Sequence, residues 1–298
     1  MFLEARHVHS EIERIVCFLR AALGPDERAV VGLSGGIDSD VTARLTVKAV
    51  GPERIKLFTV LQANMETRHL AQARALASEL GCCLVEVDLA SAPRLFIAEM
   101  SRADPVEQFQ PEGLLDPARA KISYRSLIAC TYQDRGYVVV GTSNRTESLC
   151  GFFMPLGDGL WHLGPIAHLY KTEVFALALG LGSAPTVIEQ QPSAGLWEGE
   201  TDLEDLAYWL VNQAPIGAQR PFEGADLELA ASIRAHLTFE RLDAALAGIT
   251  AGRSISDSTT DCGLPVAVVE RLERLITAAR RRKHRPLFTC LNRDGMPS

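Results

Sequence analysis

The sequence predicts an α/β protein with a doubly wound parallel sheet, followed by helical elements toward the C-terminus. Two observations lead there. Short apolar runs alternate with stretches of helical periodicity through the first half of the chain, and past residue 150 the pattern turns mostly helical with long loops. Strands that are apolar along their whole length belong to sheets covered on both faces, which is where parallel strands are found.

Each element follows from local pattern. Apolar residues at 12, 15, 16, 19, 22 and 23 recur at helical spacing, so 9–23 forms an amphipathic helix that Gly24-Pro25 ends. The apolar run 29–33 is the first strand; it leads into Ser34-Gly35-Gly36 and a second helix over about 38–49. A strand at 55–60, a helix at 67–80 and a strand at 83–88 come next. After a polar, proline-containing connection at 104–117, a helix is expected over 118–134 and a strand over 137–140 that ends in Gly141-Thr142. Further helices are expected at 170–180, 203–213, 239–248 and 265–280, the last with Val269, Leu272, Leu275 and Ile276 on one face.

Composition narrows the class. With 47% hydrophobic and 22% charged residues in 298, the chain can bury a sizeable core. Thirty basic against thirty-seven acidic residues leave a net charge of −7, so no global field draws it onto nucleic acid or an anionic membrane. No stretch approaches ~18 uncharged apolar residues. Glu4, Arg6, His7 and His9 stand where a signal peptide needs an apolar run. The seven cysteines, at 17, 82, 83, 130, 150, 262 and 290, have no C-x-x-C spacing and read as free thiols of a reducing cytoplasm. A cytoplasmic protein with neither nucleic-acid nor membrane partners is expected.

The sharpest chemical signal is Ser34-Gly35-Gly36-Ile37-Asp38-Ser39, placed between a strand and a helix. Glycines let backbone approach a ligand, and the N–H groups and dipole of a helix start attract phosphate. Two serines add hydroxyls, and Asp38 can hold Mg²⁺ against bound phosphates. The loop lacks the lysine of G-x-x-x-x-G-K-[ST]. Gly32-Leu33-Ser34-Gly35-Gly36 also satisfies G-x-S-x-G, but a hydrolase elbow follows several strands and this one follows the first. A turn serving topology alone and a non-catalytic nucleotide-binding module are the remaining readings.

The 34–39 loop resembles the pyrophosphate loop of N-type ATP pyrophosphatases, whose fold is adenine nucleotide α-hydrolase-like. Later blocks narrow the resemblance to the NAD synthase family. They are Gly141-Thr142-Ser143-Asn144-Arg145-Thr146-Glu147, Gly151-Phe152-Phe153 with Gly157-Asp158-Gly159, Pro165-Ile166, Leu169-Tyr170-Lys171-Thr172-Glu173-Val174, and Pro192-Ser193-Ala194-Gly195-Leu196-Trp197-Glu198-Gly199-Glu200-Thr201-Asp202. The likeness is to the ammonia-dependent form, in which no glutaminase part precedes the synthetase. It implies adenylation of a carboxylate by ATP with release of pyrophosphate, then attack by ammonia and departure of AMP, most like deamido-NAD to NAD. It implies a pyrophosphate cradle of Ser34, Gly35, Gly36 and Ser39, Mg²⁺ on Asp38 and Glu147, Lys171 on the α-phosphate, and phosphate hydrogen bonds from Thr142 and Ser193. Lys171, Asp38 and Ser193 are the expected catalytic residues; Arg125, Phe153, Asp158 and His162 are expected at the acceptor. One NAD synthase-like domain over 1–298 is expected, with a nucleotide-binding part at about 10–200 and a helical part at about 201–298. The family also implies a homodimer, and ammonia that is free or delivered by a glutaminase partner.

Departures cluster in the acceptor half. Met154-Pro155-Leu156 replaces Thr-Lys-Tyr, His162-Leu163-Gly164 replaces Asp-x-Asn, Lys121 replaces an Asn, Leu127 replaces an Arg, and an insertion lies near 211–236. Lost polar partners change substrate choice more than small changes of apolar shape. The alternative is therefore a paralogue that amidates a different carboxylic acid.

Overall fold

In the computed structural model, residues 5–61, 67–113, 115–155, 157–195, 199, 201–213 and 222–282 are described. The chain opens with α1 (Val8–Ala22), whose Val8, Ile12, Ile15, Val16 and Leu19 are buried at the predicted spacing. Then follow β1 (Arg28–Gly32), α2 (Ile37–Val50), β2 (Ile55–Leu61), α3 (Thr67–Glu79), β3 (Leu84–Asp88), α4 (Ala92–Ala103), α5 (Leu115–Gln133) and β4 (Tyr137–Val140). The strands form one sheet in the order β3-β2-β1-β4, with every pairing parallel. The fold class read from the sequence is the observed one.

Val30 pairs with Lys56 on one side and Val139 on the other, so β1 is central, and Ala29, Val30 and Val31 are fully buried. Helices cover both faces. Leu57 and Val31 pack with Ala43 and Ala73 of α2 and α3, while Phe58 and Val60 pack toward Ile128 and Tyr132 of α5. Because β2 lies on one side of β1 and β4 on the other, strand order reverses at β1. The crevice at the C-terminal ends of β1 and β4 is the switch point where open α/β sheets bind ligands.

The remaining elements are α6 (Arg145–Cys150), α7 (Lys171–Leu181), α8 (Pro185–Ile188), α9 (Asp202–Asn212), α10 (Gly224–Arg234), α11 (Phe239–Thr250), α12 (Ile255–Cys262) and α13 (Val266–Arg282). α7 packs with α1 and α2 in a core that includes Ile166, Val174 and Leu177. α9 to α13 build a second core around Leu206, Leu210, Leu242, Leu246, Val269, Leu272 and Leu275. The sequence pattern missed α4, α6, α8, α10 and α12. α6 is too short for periodicity, and α10 lies within the insertion, where it packs against α9. Of the adjacent cysteines before β3, Cys82 is half-buried against the core of β1, β2 and α3, whereas Cys83 is exposed. Six cysteines are free thiols, and Cys290 lies outside the described residues.

Candidate active site

The phosphate loop is shaped by its glycines and serines. Gly35 sits at φ +82°, and a Cβ there would lie 2.2 Å from the His69 carbonyl oxygen, so no side chain fits. Ser39 Oγ, one turn into α2, donates to the Gly36 carbonyl at 2.9 Å and accepts from the Ser34 N–H at 3.2 Å. The Ser34 and Ser39 hydroxyls lie 3.2 Å apart. The start of α2, with its unpaired N–H groups, is thereby aimed into the crevice.

Three carboxylates from three elements meet one lysine there. Lys171 Nζ lies 2.5 Å from Asp38 Oδ2, 3.4 Å from Glu147 Oε1 and 4.0 Å from Asp202 Oδ2. Its side chain is 2% exposed. Burial alone would favour neutral lysine, but the three carboxylates override it and hold Lys171 protonated well above the ordinary lysine range. Glu147 is pushed up to about 8 by its enclosed position and by Asp38, against the pull of Lys171.

Each carboxylate stands in the first turn of its own helix. Asn144 and Glu147 form a capping box on α6: Asn144 Oδ1 accepts from the Glu147 N–H at 2.9 Å, and Glu147 Oε2 accepts from the Asn144 N–H at 3.2 Å. Asn144 Nδ2 also donates to Asp38 Oδ1 at 2.8 Å, locking the carboxylate of α2 to α6. Lys171 opens α7, and its N–H donates to Thr146 Oγ1 at 2.9 Å. Behind these groups the fully buried Asp243 of α11 accepts from Thr146 Oγ1 at 2.6 Å and from the Thr172 N–H at 2.8 Å.

One cavity collects these groups. It is lined by Ser34, Gly36, Asp38, Ser39, Arg125, Thr142, Glu147, Phe153, Asp158, Lys171 and Ser193, all expected at the site. Gly35 lies behind the loop it shapes. His162, expected at the acceptor, does not line this cavity. Its Nδ1 accepts the Val139 N–H at 2.9 Å and its N–H donates to the Val139 carbonyl at 3.0 Å, so it extends the sheet edge beside β4. Leu156 and Trp197 lie outside the described residues. Arg125 stands where this cavity meets an adjoining apolar one walled by Phe58, Val60, Val139 and Trp161.

Sequence reasoning gave no role to Asp202, Asp205, Gln190, Gln191 or Trp209, which also line the cavity. Asp202 was legible as the end of the 192–202 block and as an acid in the first turn of α9. Nothing local marks Trp209, whose ring stacks on Phe152 with centroids 4.1 Å apart.

Asp38 and Glu147 present hard carboxylate oxygens to a single cation, the donor set Mg²⁺ takes. The residues fit that metal. Among the described residues no group of three or more His, Cys, Asp or Glu is arranged to hold a metal ion. Two protein ligands would thus be completed by water and phosphate oxygens, as is usual for Mg²⁺.

A parallel sheet with a glycine- and serine-rich loop at its switch point, beside a lysine among carboxylates, is an α/β fold of the N-type ATP pyrophosphatase type. The sequence profile described as NAD synthase matches residues 11–213, and the chain belongs to that family; it is a carbon–nitrogen ligase. It is 28% identical over 281 residues to the NH(3)-dependent NAD(+) synthetase of Pyrococcus horikoshii, covering 93% of this chain and 92% of that protein. It is 35% identical over 199 residues to the synthetase of the same name from Thermoplasma acidophilum, covering 66% and 78%. Among solved structures, the NMN synthetase of Francisella tularensis superposes with a TM-score of 0.71 at 23% identity, over 95% of this chain and 98% of that one. That likeness shows the fold.

Proposed function

We propose that this chain adenylates the carboxylate of deamido-NAD with ATP, releases pyrophosphate, and transfers ammonia to give NAD and AMP. The observation that carries the reading is the convergence of Asp38, Glu147 and Lys171 on one point beside the 34–39 loop. A carboxylate is a poor electrophile toward ammonia, so it must first be made into a mixed anhydride. Its ionised oxygen attacks the α-phosphorus of ATP, and the β–γ unit leaves as pyrophosphate.

Every residue role here concerns charge that grows on phosphate. The loop N–H groups with Ser34 and Ser39 hold the leaving pyrophosphate, and Thr142 and Ser193 donate to phosphate oxygens from opposite walls. Lys171 places a positive charge beside the α-phosphate in a water-poor site, where such charge acts most strongly. Mg²⁺ held by Asp38 and Glu147 would supply further charge neutralisation on the phosphates. The ATP base takes the adjoining apolar cavity, Arg125 and Asp158 stand where that cavity meets the main one, and they and Phe153 are assigned to the acceptor. No strong general base is needed, because the acid attacks ionised and ammonia can arrive neutral. We further propose one working domain, a homodimer, free or glutaminase-delivered ammonia, and a cytoplasmic location; among the described residues no helix is long and apolar enough to cross a membrane.

The test is AMP and pyrophosphate release with ATP, Mg²⁺, ammonium and deamido-NAD, run beside nicotinate mononucleotide as a smaller acid. Asp38→Asn and Lys171→Ala should each lower the rate by about 10²–10³, and Ser34→Ala by less, because backbone donors remain. ADP as product, or near-normal turnover in both variants, would sink the mechanism. Preference for the smaller acid would transfer the acceptor assignment to the paralogue reading.

A further inference from the structure

We infer that Lys171 and the divalent cation compete for the same two carboxylates, so that the nucleotide-free protein keeps its own metal ligands occupied and the metal enters with ATP. The inference rests on the reading of Asp38 and Glu147 as metal ligands and deepens it. Nζ already sits 2.5 Å from Asp38 Oδ2 and 3.4 Å from Glu147 Oε1, oxygens of the two groups that would hold the metal. Mg²⁺ bonds oxygen at about 2.1 Å. A metal on Oδ2 therefore lies within about 4.6 Å of Nζ, adding that bond to the 2.5 Å contact. With Lys171 only 2% exposed, little water screens the repulsion between the two cations.

The structure also gives the lysine somewhere to go. Asp202 Oδ2 is 4.0 Å from Nζ, and the Phe239 ring faces it at 5.9 Å. Asp202, Phe239 and Lys171 border one small cavity with Leu203 and Leu206. An ammonium displaced from Asp38 and Glu147 can move toward Asp202 without leaving the site. The phosphates of ATP supply the extra negative charge that lets both cations stay.

The test reads metal binding without nucleotide or acid, so it stays readable whatever the acceptor proves to be. Mn²⁺ binding is followed by its free-ion electron paramagnetic resonance signal in the wild type, Lys171→Met and Lys171→Gln. Both variants should bind Mn²⁺ at least tenfold more tightly than the wild type, and adding Asp38→Asn to either should remove the gain. Melting temperature should rise on adding Mg²⁺ in the variants more than in the wild type, by the ordinary linkage of binding to stability. A variant that folds only with the divalent cation present supports the inference, since the metal then replaces the missing charge. Equal or weaker Mn²⁺ binding in the variants overturns it, as does failure of both to fold even in Mg²⁺. Loss of AMP formation in the wild type would sink the proposed reaction without changing these affinities.

Discussion

Gly35 and Gly36 are neighbours with different physical duties. Gly35 has φ +82° and its missing side chain makes room for the His69 carbonyl, whereas a Cβ on Gly36 meets only Ser34 Oγ at 3.4 Å. Gly35→Ala should therefore lose about 2 kcal/mol or more of stability, combining backbone strain with a backbone clash. Gly36→Ala should stay within about 0.5 kcal/mol. Urea denaturation of the two variants checks this, and equal losses would show that the loop is less fixed than its geometry. Lys171 makes the same point about charge: a lysine at a helix start opposes the macrodipole, and the three carboxylates around it supply the reason it is there.

At the scale of elements, α2 is held by a buried guanidinium. Arg44 Nε donates to Asp40 Oδ1 at 2.8 Å, and its two terminal nitrogens donate to Glu79 of α3 at 2.6 and 2.7 Å. Ser183, just past α7, also donates to Asp40 Oδ1, so α2, α3 and α7 share one polar knot. The Arg44 hydrogen bonds hold Glu79 below the ordinary glutamate value of 4.5. A lowered acid stabilises the fold above its unfolded value and loses that contribution as pH falls through the folded one. Because Glu79 is 54% exposed, solvent screens the pair, and Glu79→Gln should cost only about 0.5–1 kcal/mol at pH 7. The deficit should close as the solution is taken well below pH 4.5, which chemical denaturation across pH will read. A deficit independent of pH would mean that the loss is one of packing, not charge.

At the scale of the molecule, two cores meet at the site. The sheet side contributes Asp38 from α2, and Lys171 heads a helix packed on α1 and α2. The helical core contributes Asp202 and, through Asp243, grips the starts of α6 and α7. Asp243 does not line the cavity. Asp243→Ala should nevertheless lower stability by about 2–4 kcal/mol, since it strands the Thr172 N–H and the Thr146 hydroxyl away from their partner. It should also slow AMP formation at least tenfold, because Glu147 and Lys171 lose their shared footing and small misplacements are costly in catalysis. Denaturant midpoints and steady-state rates test the two together; a stable variant with normal turnover would show that the halves are joined elsewhere.

How far the sequence reached can be seen residue by residue. The 34–39 loop was legible because its chemistry is local: glycines, hydroxyls and a helix start act within six consecutive residues. The strands were legible because burial on both faces leaves continuous apolar runs, as in the fully buried 29–31 segment of β1. α6 was not legible as a helix, since its six residues are fixed by a capping box and by Asp38 across the fold. The orientation of His162 was not legible, because a residue's place in a motif does not say which way its side chain turns, and here its Nδ1 accepts the Val139 N–H of β4. Sequence by itself determined the parallel sheet, the phosphate loop and the residue types the chemistry needs. Only the tertiary structure decided that Asp38, Glu147 and Asp202 share one buried lysine, because contacts between residues 24 to 133 positions apart leave no periodic trace in the chain.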